Sequence, residues 1–159
     1  MLNLLIALSR FLLSAWVGGA ALFVVTSVAE QRSPDFGSVI RDQLATIRFP
    51  LYYVFALGTL VPATVLLGMA MVSRRARSSW LLLTTFGLST LSCIVAVVDY
   101  LFVYQPLQEL IIPAGKARDL RFVELHEQSR WINEVHVGLA LLAALMICLV
   151  VLPATQEKQ

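Results

Sequence analysis

The last apolar stretch of the chain carries four hydrogen-bonding side chains on one face of a predicted helix. These are His126, Ser129, Asn133 and His136, at spacings of three, four and three residues. Because a helix turns about 100° per residue, the four side chains fall within an arc of about 80°. Polar and ionisable side chains are costly in hydrocarbon, so this stripe is predicted to face protein rather than lipid.

A carboxylate in the preceding apolar stretch, Asp99, is the candidate partner of this stripe. It shares a helical face with Ser92 and Ala96, and small residues of this kind let two membrane helices approach closely. Asp99 and His136 also lie at similar depths in their predicted spans, so we expect the two side chains to meet.

Three chemistries are open to this cluster. Asp99, Asn133 and His136 could form a hydrogen-bonded latch that fixes the register of the helices. His136 could instead bind haem b or copper through a neutral imidazole, with His126 as a second candidate ligand. The two histidines lie about 15 Å apart along one helix, too far apart to bind one metal ion together. The third possibility is a pathway for a proton, an ion or a small solute.

The flank of the same helix carries charged side chains of both signs. Glu127, Arg130 and Glu134 follow at spacings of three and four, which predicts ion pairs on a face at the level of the lipid headgroups. The sequence contains no nucleophile beside a base, no CxxC or HExxH motif and no phosphate-binding glycine loop. We therefore expect a protein that is not an enzyme.

The composition defines the elements that must position these residues. The chain has 159 residues, of which 58% are hydrophobic and 14% charged, with a mean hydropathy of +0.80; soluble domains carry about 25% charged residues. Four stretches are long enough to cross hydrocarbon, which takes about 20 residues. They predict a single domain, an all-α integral membrane four-helix bundle, with spans at 2–28, 50–72, 80–104 and 131–152.

Prolines and caps set the expected ends of these spans. Pro50 opens the second span, and Pro106 and Pro113 are expected to end the third. Asp119, which follows a turn at Gly115, is the predicted N-cap of the fourth helix. That helix should therefore extend beyond the membrane on the outer side.

The charge of the connections predicts the orientation. Arg74, Arg75 and Arg77 make the second connection the most basic, and the positive-inside rule places it in the cytoplasm with both termini. We expect the inner membrane of a bacterium, with the lipid bilayer as the surroundings. The net charge of +2 and the lack of a basic cluster among exposed aromatics give no reason to expect nucleic acid. Cys93 and Cys148 lie in apolar stretches and are expected to be free, buried thiols.

Several short motifs together resemble a known family. They are Trp16-Val17-Gly18-Gly19 with Phe23, then Asp35-Phe36-Gly37, then Phe49-Pro50-Leu51-Tyr52-Tyr53, and finally Leu125-His126 with Ser129 and Asn133. In order and spacing they resemble the transmembrane-protein-205-like domain, a four-helix module of similar length. The first helix is also similar to the CopD-like group, which includes copper-resistance proteins and the haem-associated protoporphyrinogen oxidases called HemJ.

The resemblance implies a fold but no mechanism. The closer family has no established activity, so His126, Ser129 and Asn133 carry over as a signature without a role. In the CopD and HemJ patterns a histidine stands seven residues before the tryptophan, whereas this chain has Ser9 there. We therefore expect a non-catalytic accessory or scaffold subunit of a larger membrane complex, or a self-associating protein. A haem or metal protein and a transporter are the alternatives.

Overall fold

A computed structural model describes residues 1–72 and 79–150, which form four long helices. They are α1 (Leu2–Arg32), α2 (Ser38–Met71), α3 (Trp80–Ile111) and α4 (Leu120–Cys148). All four are long and apolar enough to cross a membrane. The predicted all-α four-helix bundle is confirmed.

The helices pack in a ring in which each packs mainly against two neighbours. α1 contacts α2 and α4, and α3 contacts the same two helices from the opposite side. The centre of the ring is filled by aliphatic and aromatic side chains that are at most 1% exposed, among them Leu13, Trp16, Leu60, Leu67, Leu82 and Ile147. The outward faces carry large exposed apolar side chains, as lipid-facing surfaces do.

The second helix begins earlier than predicted. α2 starts at Ser38 and runs through both Pro50 and Pro62, so the helix begins well before Pro50, the first residue of the predicted span. Helix-breaking residues are tolerated in membrane helices when neighbouring groups satisfy the freed backbone. The first turns of α2 are also fastened to α1, because Arg48 forms an ion pair of 2.5 Å with Glu30.

The third helix runs past its predicted end. It continues through Pro106 to Ile111, with a π-helical turn at Tyr100–Tyr104 just before the proline. A proline ring normally clashes with the carbonyl four residues back, and a widened turn relieves that clash. The predicted break at Pro106 is therefore wrong, whereas the helix does end before Pro113.

The fourth helix begins where the sequence predicts. The Asp119 carboxylate accepts a hydrogen bond of 2.7 Å from the Phe122 amide, as an N-cap does. Gly115 turns with a φ of 82°, a conformation that favours glycine. The 29 residues of α4 make it about 44 Å long. Its predicted end at Leu152 and the predicted cytoplasmic arginines 74, 75 and 77 lie outside the described residues.

A buried carboxylate links two segments at the end of the bundle where connections 33–37 and 112–119 lie. Asp42 on α2 is 3% exposed. It accepts a hydrogen bond of 2.7 Å from the Gly115 amide and forms an ion pair with Arg118. Asp42 lies between the predicted spans 2–28 and 50–72, yet it belongs to α2 and ties this helix to the connection that leads into α4.

At the opposite end of the bundle an arginine of α1 binds the end of α4. The Arg10 guanidinium on α1 donates to the carbonyls of Ile147 and Val150, at 2.9 and 2.5 Å. The last carbonyls of a helix have no partner within that helix. Arg10 therefore caps the end of α4 and joins the first helix to the last.

Replacing Asp42 should loosen the connection at its end of the bundle. In Asp42→Ala the Gly115 amide and Arg118 lose a buried partner, so we expect the free energy of unfolding to fall by about 1–3 kcal/mol. Denaturant titration in detergent measures this loss. Glu124→Ala removes an exposed carboxylate near the same end and should change stability by less than about 0.5 kcal/mol. Equal stability of the two variants would contradict the role given to Asp42.

Candidate functional site

One oxygen of a buried carboxylate accepts hydrogen bonds from two other helices. Asp99 on α3 is fully buried. Its Oδ2 accepts from the Tyr53 hydroxyl of α2 at 2.5 Å, and from the Asn133 amide and Ser129 hydroxyl of α4 at 2.7 and 3.3 Å. Three spans therefore meet at a single atom. We call Asp99, Tyr52, Tyr53, Ser129, Asn133 and His136 the polar centre.

The Asn133 side chain extends this arrangement toward the histidine. Its Nδ2 lies 2.7 Å from Asp99 Oδ2 and 2.8 Å from the Ser129 carbonyl, both hydrogen-bond acceptors. Its Oδ1 lies 3.0 Å from the Tyr52 hydroxyl and 3.1 Å from His136 Nε2. Asp99 and His136 are therefore joined through the amide of Asn133.

The His136 ring is enclosed by aromatic side chains. Trp16 of α1 stacks on it with ring centres 5.6 Å apart and an angle of 16° between planes, and Tyr52 meets it edge-on at 6.5 Å. The backbone carbonyl of His136 accepts a hydrogen bond of 2.8 Å from Ser92 of α3. The imidazole has no exposed surface.

Helical spacing explains why these side chains converge. Ser129, Asn133 and His136 lie three or four residues apart on α4, and this face continues below them as the buried residues Ala140, Ala143 and Ala144. On α3, Ser92, Ala96 and Asp99 share one face and are all fully buried. Two small-residue faces let the helices approach closely, and the polar residues lie where those faces meet.

His126 does not belong to the polar centre. It is exposed, and its ring stacks on Phe122 with centres 5.6 Å apart. The Arg118 guanidinium lies 4.1 Å from the centre of the Phe122 ring. The prediction that His126 faces inward with the other three residues is therefore wrong. Spacing shows which face a residue takes, but not whether another helix covers that face at that height.

The charged flank forms only part of the expected set of ion pairs. Glu127 pairs with Arg130, and it also accepts a hydrogen bond of 3.0 Å from the Trp131 indole. Both members of the pair are about half exposed, as expected for a face at headgroup level. Glu134 is exposed and forms no ion pair within the part of the chain that the structure describes.

The sequence analysis does not predict three residues that contact the polar stripe of α4. Trp16, Tyr52 and Tyr53 surround Asp99 and His136, although the sequence presented them only as part of a family resemblance. A usable signal was present, because buried tyrosine hydroxyls need hydrogen-bond partners. Two adjacent tyrosines in an apolar span therefore point to polar groups on a neighbouring helix.

The alternative of haem b or copper binding has no ligand cluster among the described residues to support it. Within residues 1–72 and 79–150, no three His, Cys, Asp or Glu side chains lie close enough together to hold a metal ion. His136 Nε2 is engaged by Asn133 and Trp16 covers the ring face, while His126 lies outside the cluster. Cys93 and Cys148 are both free, as predicted, but Cys148 is exposed rather than buried.

Comparison of the chain with protein-family models, with curated proteins and with solved structures finds no match. The resemblance to the transmembrane-protein-205-like domain and to the CopD-like group therefore stays a prediction.

Removing the Asp99 carboxylate should destabilise the bundle more than removing any one of its partners. Hydrogen bonds between membrane helices average about 0.6 kcal/mol, and Asp99 accepts three from other helices. We therefore expect Asp99→Ala to lower the free energy of unfolding by about 2 kcal/mol and Tyr53→Phe by about 0.6 kcal/mol. Titration with a denaturing detergent measures both losses.

The matched control is Glu134→Ala, which removes an exposed carboxylate from the same region of the bundle. It should leave stability unchanged. If Asp99→Ala were as stable as this control, the polar centre would not hold the helices together.

Proposed function

We propose that the protein is a non-catalytic membrane scaffold, an accessory subunit that presents a fixed four-helix surface to another membrane subunit. The observation that carries this proposal is the bonding of the polar centre. Its hydrogen bonds to Asp99 join α3 to α2 and α4.

The direction of these bonds supports a structural role. Tyr53, Ser129 and Asn133 all donate to the same oxygen of Asp99, and Ser92 donates to the backbone of α4. Catalytic groups need a reacting atom within their reach, whereas Asp99 and His136 have no exposed surface. A centre of this kind fixes the relative positions of the helices and thereby the shape of the outer surface.

The exposed face of α1 is the best candidate for the docking surface. Ser14 and Gly18 lie four residues apart and are both exposed, and nothing lies within 4 Å of a Cβ placed on Gly18. Small residues at this spacing allow the backbone of another membrane helix to approach closely. On α3, by contrast, the exposed side chains of Leu83 and Leu91 project on either side of Gly87.

Gly18→Leu tests this surface without disturbing the bundle. Since the added side chain meets open space and leucine favours helix more than glycine does, we expect the stability of the bundle to be retained. Association with the partner subunit should weaken at least about tenfold, which is about 1.4 kcal/mol. Cross-linking in native membranes, followed by extraction in mild detergent, detects the partner and its loss.

Gly87→Leu is the matched control, because Gly87 also has nothing within 4 Å of its Cβ position. It should leave association unchanged. A complex that contains only this chain would identify the partner as a second copy. A monodisperse monomer with no bound subunit in native membranes would contradict the scaffold proposal.

A second candidate function is the transport of a proton or small ion, and one observation favours it. Asp99 Oδ1 and His136 Nδ1 are buried and have no partner among the described residues. Intramembrane ionisable groups of this kind often mark transport pathways. Asp99→Asn should then abolish ion flux into reconstituted vesicles while the protein stays folded. Unchanged flux would reject this function.

A further inference from the structure

Asp99 and His136 are joined by Asn133, and each has one buried polar atom that makes no hydrogen bond to the described residues. Asp99 uses Oδ2 for all its hydrogen bonds, and within the described chain its Oδ1 has no partner. His136 uses Nε2, and its Nδ1 likewise has no partner among these residues. Buried polar atoms without partners are rare in proteins and call for an explanation such as a bound ion or ligand.

The protonation of His136 follows from the orientation of Asn133. The Asn133 nitrogen must face Asp99 Oδ2 and the Ser129 carbonyl, because both are acceptors. Its oxygen therefore faces His136 Nε2, and an amide oxygen only accepts hydrogen bonds. Nε2 must then carry a hydrogen. In the neutral imidazole, Nδ1 is left with a free lone pair.

No positive side chain contacts Asp99 among the described residues. Polar and aromatic side chains lie around Asp99 in the bundle: Trp16 of α1, Tyr52 and Tyr53 of α2, Tyr100 and Tyr104 of α3, and Ser129, Asn133 and His136 of α4. Arg10 binds backbone carbonyls, and Arg48, Arg118 and Arg130 pair with other carboxylates. An ionised Asp99 would be a buried charge that no positive side chain contacts among the described residues, which is unfavourable even though three hydrogen bonds reach Oδ2.

We propose that the polar centre is a proton-binding site, in which Asp99 Oδ1 holds one proton while His136 stays neutral. The proton comes from water: a hydronium ion transfers it to a lone pair of Oδ1, an O–H bond forms, and a water molecule is released. This location leaves both side chains uncharged. A proton on His136 Nδ1 would instead leave two separated charges within the bundle. Proton binding requires neither the scaffold role nor transport.

Infrared spectroscopy of the full-length protein in lipid vesicles at neutral pH tests the assignment. We expect a carbonyl-stretch band typical of a protonated carboxylic acid, which shifts when water is replaced by heavy water. The band should disappear in Asp99→Asn. It should remain in Glu134→Gln, which removes an exposed carboxylate. Absence of the band from the unsubstituted protein would overturn the proposal.

Tyr53→Phe keeps the test decisive if Asp99→Asn does not fold. This variant removes the hydrogen bond of 2.5 Å to Asp99 Oδ2, so the band should move to higher frequency. A band that does not move would belong to a different carboxyl group and would also overturn the assignment.

The histidine can be examined separately, because the chain contains only two. In His126→Gln, His136 is the single histidine, and its ring nitrogens can be observed by nitrogen-15 magnetic resonance. We expect a neutral ring with its hydrogen on Nε2 at neutral pH. The spectrum of a doubly protonated ring would place the proton on His136 and contradict the proposal.

Discussion

The arrangement of the four helices depends on the hydrogen bonds accepted by one atom, Asp99 Oδ2. In hydrocarbon the hydrophobic effect does not drive helices together, so close packing and interhelical hydrogen bonds must do so. Asp99 contributes to both, because it lies on a face of small residues and accepts from Tyr53 of α2 and from Ser129 and Asn133 of α4. Trp16 then joins α1 to the same region by stacking on His136.

Two further polar contacts hold the ends of the bundle, and each satisfies a different need. Asp42 binds a backbone amide and Arg118 in the connection that leads into α4. At the other end Arg10 donates to the carbonyls of Ile147 and Val150, where α4 ends and helix carbonyls lack partners within the helix. Together with Asp99 these contacts hold the bundle at both ends and in between. Large apolar side chains such as Phe11, Leu83 and Leu142 can therefore remain on the outer surface.

The predictable part of this structure is the part controlled by periodicity. Hydropathy predicts four spans, and spacing alone places Ser129, Asn133 and His136 on one side of a helix. The failures occur where a neighbour decides the outcome. His126 has the right spacing but is exposed, Pro106 lies in a helix because a π-helical turn precedes it, and Asp42 is buried because a distant connection folds over it. The connection that covers Asp42 is distant in sequence, the lack of a helix over His126 depends on the packing of the whole bundle, and the π-helical turn has no signature in the residue types around it.

The two oxygens of Asp99 separate the two roles that we propose for the polar centre. All three interhelical hydrogen bonds go to Oδ2, which accepts them whether the group is a carboxylate or a neutral acid. The proposed proton lies on Oδ1, which makes no hydrogen bond to any of the described residues. Gain or loss of that proton therefore changes the charge of the bundle interior without breaking the bonds that define its shape. A scaffold with this geometry would keep the same outer surface in both protonation states.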